Sequence, residues 1–339
     1  MVAELSDAGG EWIRLPVDSK APHTLLANAL RLRRLIRRRE IKLIHARSRA
    51  PAWSALLAAR LSGIPFVTTY HGIYNASSGL KRFYNSVMAR GDAVIANSVW
   101  TAAHIAREYK FQPKRLVVIP RGINLDRFDP AKISAERVAA LRAKWGAKAG
   151  EFVVLLPGRL TRWKGQIVLI DALSRLKHAG ALGNLRAVLV GDAQGRRGYE
   201  AEIANLIAAY GLEASIVLTG HENDMAAAYL AGDIVVSAST DPEAFGRVAA
   251  EAGAMERPVI ATNHGGAREI VLPGRSGLLT EPGDAAGLAE GLLKLLNETA
   301  QVRAAMGKEA RAHVAARFTV ERMCADTLAL YRDLLGEQA

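Results

Sequence analysis

An α/β fold built twice over is what the amino-acid sequence predicts, and three observations predict it. Short β-branched runs alternate with helical stretches from Trp12 to Pro120. The alternation restarts at Phe152 after a turn-rich stretch. A length of 339 residues exceeds one ordinary domain and suits two of about 150 residues each. Alternation of this kind implies mostly parallel sheets covered by helices on both faces.

In the first half, Trp12–Val17 reads as a strand. The segment His23–Arg39 reads as a helix, because Leu25, Ala29, Leu32 and Ile36 recur at helical spacing. Strand Lys42–Ala46, helix Pro51–Leu61, strand Pro65–Tyr70, helix Leu80–Ala89, strand Ala93–Asn97, helix Val99–Tyr109 and strand Arg115–Pro120 follow. Pro130 with turn-prone Asn124 and Asp126 marks Arg121–Ala149 as the linker, with a helical piece at Ala135–Trp145. The second half runs through strand Phe152–Pro157, helix Gln166–His178, strand Arg186–Gly191, helix Gly198–Tyr210 and strand Ser215–Gly220. It continues with helix Met225–Ala231, strand Asp233–Ser237, helix Gly246–Met255 and strand Pro258–Thr262. Helices Ala285–Asn297, Ala300–Phe318 and Val320–Leu335 close the chain. Domains are therefore expected at 1–148 and 149–318, with a terminal helical segment, 319–339, packing back toward the first.

Half of the residues are hydrophobic and 23% are charged, a globular composition that excludes disorder, collagen and coiled coil. No run of eighteen apolar residues occurs, and Met1–Asp7 lacks the basic region and apolar stretch of a signal peptide. A single cysteine, Cys324, excludes an internal disulfide framework and a cysteine-based zinc site. A cytoplasmic protein is expected. The net charge of +12 is unevenly placed: residues 1–150 hold 26 Lys+Arg against 10 Asp+Glu, and the remainder 19 against 23. Such a basic half suits an anionic partner, either nucleic acid or an acidic membrane surface, or serves only solubility. An aromatic content of 6% without a binding motif places nucleic acid last.

Ligands of open α/β sheets bind at the carboxyl ends of strands, and three polar groups stand at such places. Asp241-Pro-Glu243-Ala-Phe-Gly246-Arg247 leads into a helix that carries Glu251. The free amides and positive end of that helix suit a phosphate, and a carboxylate such as Glu251 can take both hydroxyls of a ribose. Alternatively Glu243 is a plain helix-start acid and Glu251 a solvated face residue. Gly158-Arg159-Leu-Thr-Arg-Trp-Lys164-Gly165 brings two cations to a glycine-bounded loop, where both can reach one diphosphate. Without the Gly-x4-Gly-Lys-Ser/Thr order it is not a Walker A loop. His71 ends the strand Pro65–Tyr70, where it would face an interdomain cleft and could donate to a reacting oxygen. No Gly-x-Gly-x-x-Gly follows a first strand, which argues against a dehydrogenase.

Taken together and in order, these elements resemble the retaining nucleotide-sugar glycosyltransferases of family 4, also called glycosyl transferases group 1. The matching stretches are Thr69-Tyr-His71-Gly, Val94-Ile-Ala-Asn97-Ser98, Val118-Ile-Pro120-Arg-Gly122, Gly158-Arg159-Leu-x3-Lys164-Gly165 and Leu189-Val-Gly191. Leu218-Thr-Gly220-His221, Pro242-Glu243-Ala-Phe245-Gly246, Glu251-Ala-Gly253, Pro258-Val-Ile-Ala-Thr262 and Gly265-Gly266-x2-Glu269 complete the set. The resemblance spans residues 65–335.

That resemblance implies the GT-B fold, two Rossmann-like domains facing each other across a cleft, with the nucleotide-sugar donor in the second and the acceptor against the first. Position by position, Arg159 and Lys164 would bind the diphosphate with backbone amides around Gly246, and Glu251 would bind the ribose. Glu243 would contact donor-sugar hydroxyls, His71 would sit beside the reacting centre, and Gly220 and His221 would line a base pocket. No cofactor and no metal are implied, because the cations and a helix terminus supply the charge stabilisation. The first domain is expected to lack the usual opening strand, glycine-rich loop and helix. An alternative is a sugar-nucleotide epimerase of the same fold, or a catalytically impaired donor-binding scaffold. Arg31, Arg34, Arg37 and Arg38 on the first-half helix suit docking on anionic lipid, with a lipid-linked sugar or lipopolysaccharide intermediate as acceptor. The protein would then be peripheral on the inner face of the cytoplasmic membrane.

Overall fold

The computed structural model describes residues 2–17, 21–74, 77–109 and 113–337. The chain divides into two compact units. The first comprises residues 1–97, 102–118 and 327–339; the second comprises 98–101 and 119–326.

The first unit holds α1 (Val2–Asp7), α2 (Pro22–Arg38), β1 (Ile44–Ala46), α3 (Arg49–Ser62), β2 (Phe66–Tyr70), α4 (Gly79–Asn85), β3 (Ala93–Ala96), most of α5 (Val99–Glu108) and β4 (Leu116–Val118). All four strands are parallel, in the order β1-β2-β3-β4. Phe66, Tyr70, Val94 and Ala96 pack with Ala52, Ala55 and Ile105 of the flanking helices.

The expected strand Trp12–Val17 is not one. Residues 11–17 are irregular and Trp12 and Ile13 are exposed. Pro16 has no amide to give a ladder, and its carbonyl instead accepts the side-chain amide of buried Asn28 at 2.8 Å.

The second unit runs through α6 (Ala135–Lys144), β5 (Phe152–Pro157), α7 (Gln166–His178), β6 (Leu185–Val190), α8 (Arg197–Ala209), β7 (Ile216–Gly220), α9 (Met225–Ala231) and β8 (Ile234–Ser237). It continues with α10 (Arg247–Ala254), β9 (Val259–Thr262), α11 (Ala267–Ile270), β10 (Gly277–Thr280), α12 (Ala285–Asn297), α13 (Ala300–Arg317) and the start of α14 (Val320–Leu335). Its six strands are parallel, in the order β10-β9-β8-β5-β6-β7. Along β5, Val153 and Leu155 enter one core while Val154 and Leu156 enter the other. Apolar residues on both faces are the pattern of a sheet covered on both sides.

Residues 119–148 belong to the second unit and not to the first as expected from sequence. Phe128, Leu141 and Trp145 are buried in its core, and Ile123 bridges to Thr319. The far end of α14 belongs to the first unit, where the Tyr331 hydroxyl meets His45 Nδ1 and Asp333 pairs with Arg115.

Candidate functional site

The second sheet reverses its winding between β5 and β8. From β5 the chain steps outward to β6 and β7, then returns to place β8 on the other side of β5. The carboxyl ends of two adjacent strands whose connections leave in opposite directions open the crevice where doubly wound sheets bind ligands. The loop after β5 is Gly158–Gly165 and the loop after β8 is 238–246, so the two stretches singled out by sequence meet at that switch point.

They meet through an ion pair. Lys164 Nζ lies 2.7 Å from Glu243 Oε1, with the side chains only 14% and 12% exposed. Ser239 Oγ donates to the same carboxylate oxygen at 2.5 Å, and the ammonium sits 4.4 Å over the Trp163 ring. Backbone contacts fix the loops. Gly165 has φ +74°, and a Cβ there would lie 1.9 Å from the Ala238 carbonyl oxygen. Thr240 N donates to Trp163 O at 2.8 Å, and Gly266 N to Glu243 O at 2.8 Å. Only glycine allows the loops to approach so closely.

Arg159 presents an exposed guanidinium, 3.4 Å from Gln194 Oε1. Its main chain is anchored from below: buried Gln166 donates to the Arg159 carbonyl at 3.0 Å and accepts from the Tyr199 hydroxyl at 3.2 Å. Gly246, with φ +94°, precedes the first turn of α10. Four residues past the start of that helix, Glu251 is held at both oxygens, by Arg247 Nε at 2.9 Å and by Tyr229 Oη at 2.8 Å. Burial and the adjacent Glu251 charge push the Tyr229 phenol well above its usual value. It therefore stays protonated and donates to the carboxylate.

Gly220 and His221 end β7 at the outer edge of the sheet, two strands from β5. Their link to the crevice runs through backbone: Gly191 N donates to Gly220 O at 2.8 Å, and a Cβ on Gly191 would meet the Gly158 carbonyl oxygen at 2.0 Å. His221 is exposed and pairs with Asn223 Oδ1 at 3.0 Å. In the first unit, His71 follows β2 and Arg47 follows the adjacent β1. Arg47 Nε donates to His71 Nε2 at 3.2 Å, which makes that nitrogen the acceptor. Arg31, Arg34, Arg37 and Arg38 are all exposed on α2.

Ser239, Tyr229, Gln166 and Trp163 were not singled out by sequence, although each contacts a residue that was. Ser239 had one signal, its place just past a strand end. Tyr229 sits in an alanine-rich helix, where a lone phenol reads as packing. Among the described residues, no group of three or more His, Cys, Asp or Glu side chains is disposed to hold a metal ion. Nor is any helix of the described residues long and apolar enough to cross a membrane.

Comparison with known proteins places this geometry. The family model described as Glycosyl transferases group 1 matches residues 138–313, and that of Glycosyltransferase Family 4 matches residues 8–127. A D-inositol 3-phosphate glycosyltransferase of Arthrobacter sp. is 30% identical over 325 residues, 91% of this chain and 74% of that protein. Its namesake from Geodermatophilus obscurus is 33% identical over 258 residues, 75% of this chain and 55% of that protein. The chain thus spans little more than half the length of the second relative. Among solved structures, a glycosyltransferase from Rickettsia africae superposes with a TM-score of 0.89 at 34% identity, covering 99% of this chain and 88% of that one. Anabaena Alr3699/HepE in complex with UDP-glucose gives 0.82 at 29% identity, covering 96% and 88%. The two parallel-sheet domains are those of the GT-B fold. This chain belongs to the glycosyl transferases group 1 family, the family 4 glycosyltransferases.

Proposed function

We propose that the chain transfers a hexosyl group from a UDP-sugar to a lipid-linked glycan acceptor, with retention of anomeric configuration and without a metal. The observation that carries the donor half is the meeting of Lys164 and Glu243 at the switch point of the second sheet. A diphosphate entering there is neutralised by Lys164 and Arg159 and by the amides at the start of α10. As its bond to the anomeric carbon breaks, the leaving oxygen gains charge beside those groups. Glu251 takes the ribose hydroxyls, since a carboxylate offers about four acceptor sites and two are in use. Glu243 contacts sugar hydroxyls once Lys164 turns to phosphate. His71 serves the reacting sugar, and Gly220 and His221 serve the base. UDP is favoured as the nucleotide because a relative 29% identical is seen with UDP-glucose.

The acceptor half rests on charge. The first unit carries 20 Lys+Arg against 9 Asp+Glu, a net +11, and α2 exposes four arginines, which suits a substrate presented at an anionic membrane surface on the cytoplasmic side. A second reading has its own support: the relatives named D-inositol 3-phosphate glycosyltransferases favour a soluble phosphorylated polyol, which the same basic unit would attract. A panel of UDP- and GDP-hexoses tests the donor by thermal shift, and proton NMR of the product gives its anomeric configuration. A UDP-hexose is expected to stabilise the protein and to yield a product of the donor's own configuration. Stabilisation by no donor, or an inverted product, contradicts the proposal. Transfer to a phosphorylated polyol and not to a lipid-linked glycan selects the second reading.

A further inference from the structure

The first unit carries an apolar groove of about 900 Å³ that the donor chemistry leaves unexplained. Leu25 and Leu26 of α2, Trp53 and Leu57 of α3, and Leu80 and Phe83 of α4 line it. Within it, Trp53 and Phe83 stack with ring centroids 5.2 Å apart. Leu80 is 79% exposed, Phe83 57% and Leu26 51%. Three apolar side chains so exposed and so close together are uncommon on a surface that meets only water.

Charge says what covers them. On α2, Leu26 and Leu30 are four residues apart, and Arg33, Arg34 and Arg37 continue the same helical face. The arginines begin about 10 Å along the axis from Leu26, at 1.5 Å per residue. Lys81 and Arg60 stand at the groove itself, although Arg60 is paired with Asp92 at 3.0 Å. Among the described residues, no carboxylate pairs with Arg34, Arg37 or Arg38. An apolar trough that runs into a cationic stripe is complementary to hydrocarbon bordered by phosphate.

We propose that this groove seats on an anionic lipid bilayer, taking acyl chains between α2, α3 and α4 while the α2 arginines meet lipid phosphates. The inference deepens the proposed lipid-linked acceptor and rests on that reading. The groove would hold the first unit at the surface where such an acceptor is displayed, and the apolar residues add a hydrocarbon contact to electrostatic attraction.

Flotation of the full chain with vesicles of phosphatidylcholine alone, and with equimolar phosphatidylglycerol, tests it. Wild type is expected to float with the anionic vesicles only. Leu80→Asp with Phe83→Asp, both exposed positions, is expected to cut partitioning at least tenfold, and Leu80→Asp alone severalfold. Arg34→Glu with Arg37→Glu is expected to cut it at least tenfold and to flatten its salt dependence. All variants should keep the wild-type thermal shift with UDP-hexose. Anionic partitioning that the groove substitutions leave unchanged overturns the groove while the membrane location stands. Absence of wild-type partitioning overturns both. A lipid-free dimer dissolved by Leu80→Asp would make a second copy the occupant and would also overturn the proposal.

Discussion

Lys164 and Glu243 come from loops 79 positions apart in sequence, and their 2.7 Å contact is the smallest unit of the site. Because both are nearly buried, neither charge can be removed cheaply: an unpaired charge left at such a depth costs several kcal/mol. Gly165 bears on this pair directly. With φ +74° and a Cβ position 1.9 Å from Ala238 O, Gly165→Ala must move backbone and is expected to cost about 2–4 kcal/mol. A urea midpoint within error of wild type would refute that. A second residue gives a pH signature. Burial, with help from the Arg47 cation, pushes the His45 imidazole down to about 4 from 6.5. Below pH 6.5 the unfolded chain takes up a proton that the native imidazole refuses. Stability present above 6.5 is therefore lost as pH falls toward 4, by an amount on the order of 2 kcal/mol. Replacing it by His45→Gln should flatten urea stability across that window, and an unchanged acid slope would count against the assignment.

At the scale of elements, glycine-rich turns and caps do the placing. Glu269 lies in the Gly265-Gly266-x2-Glu269 stretch, and its carboxylate accepts Val99 N at 3.0 Å and Trp100 N at 2.8 Å, at the first turn of α5. An acid there satisfies orphan amides and opposes the helix dipole, so Glu269→Ala is expected to cost about 1–2 kcal/mol in chemical denaturation. No loss of stability would show the cap to be idle. The strand and helix alternation of both units was legible because short, nearly continuous apolar runs, as in β5 and β6, alternate with longer helical stretches such as α7 and α8. Trp12–Val17 misled because alternation is visible in sequence and a missing neighbour is not. β10 and α11 have four residues each, too few to show a period, although Glu269 stood inside a recognised stretch. Residues 121–148 read as a linker from their turn formers, yet Phe128, Leu141 and Trp145 fill a core that only tertiary packing reveals. Arg159, Lys164, Glu243 and Glu251 were legible because glycine spacing marks strand-end loops. Tyr229 and Ser239 were not, since their roles consist of contacts across the sheet.

At the scale of the whole molecule, two sheets of one class carry different loads. The second holds the switch-point ion pair and the Glu251 carboxylate held by Arg247 and Tyr229, and the first holds the basic helix and the apolar groove. Ligand linkage turns that division into a measurement: donor at a hundred times Kd should stabilise the chain by about 2.7 kcal/mol. Hydrogen exchange should then slow in residues 158–166 and 239–251, and slowing confined to the first unit would contradict the donor placement. The most direct test of the central claim is calorimetric titration of UDP-glucose into wild type, Lys164→Met and Glu251→Gln, all in excess EDTA. Wild type should bind under these conditions, and each substitution should weaken binding tenfold or more, which is about 1.4 kcal/mol. Equal affinity in all three proteins, or binding that appears only when a divalent cation is restored, would contradict it.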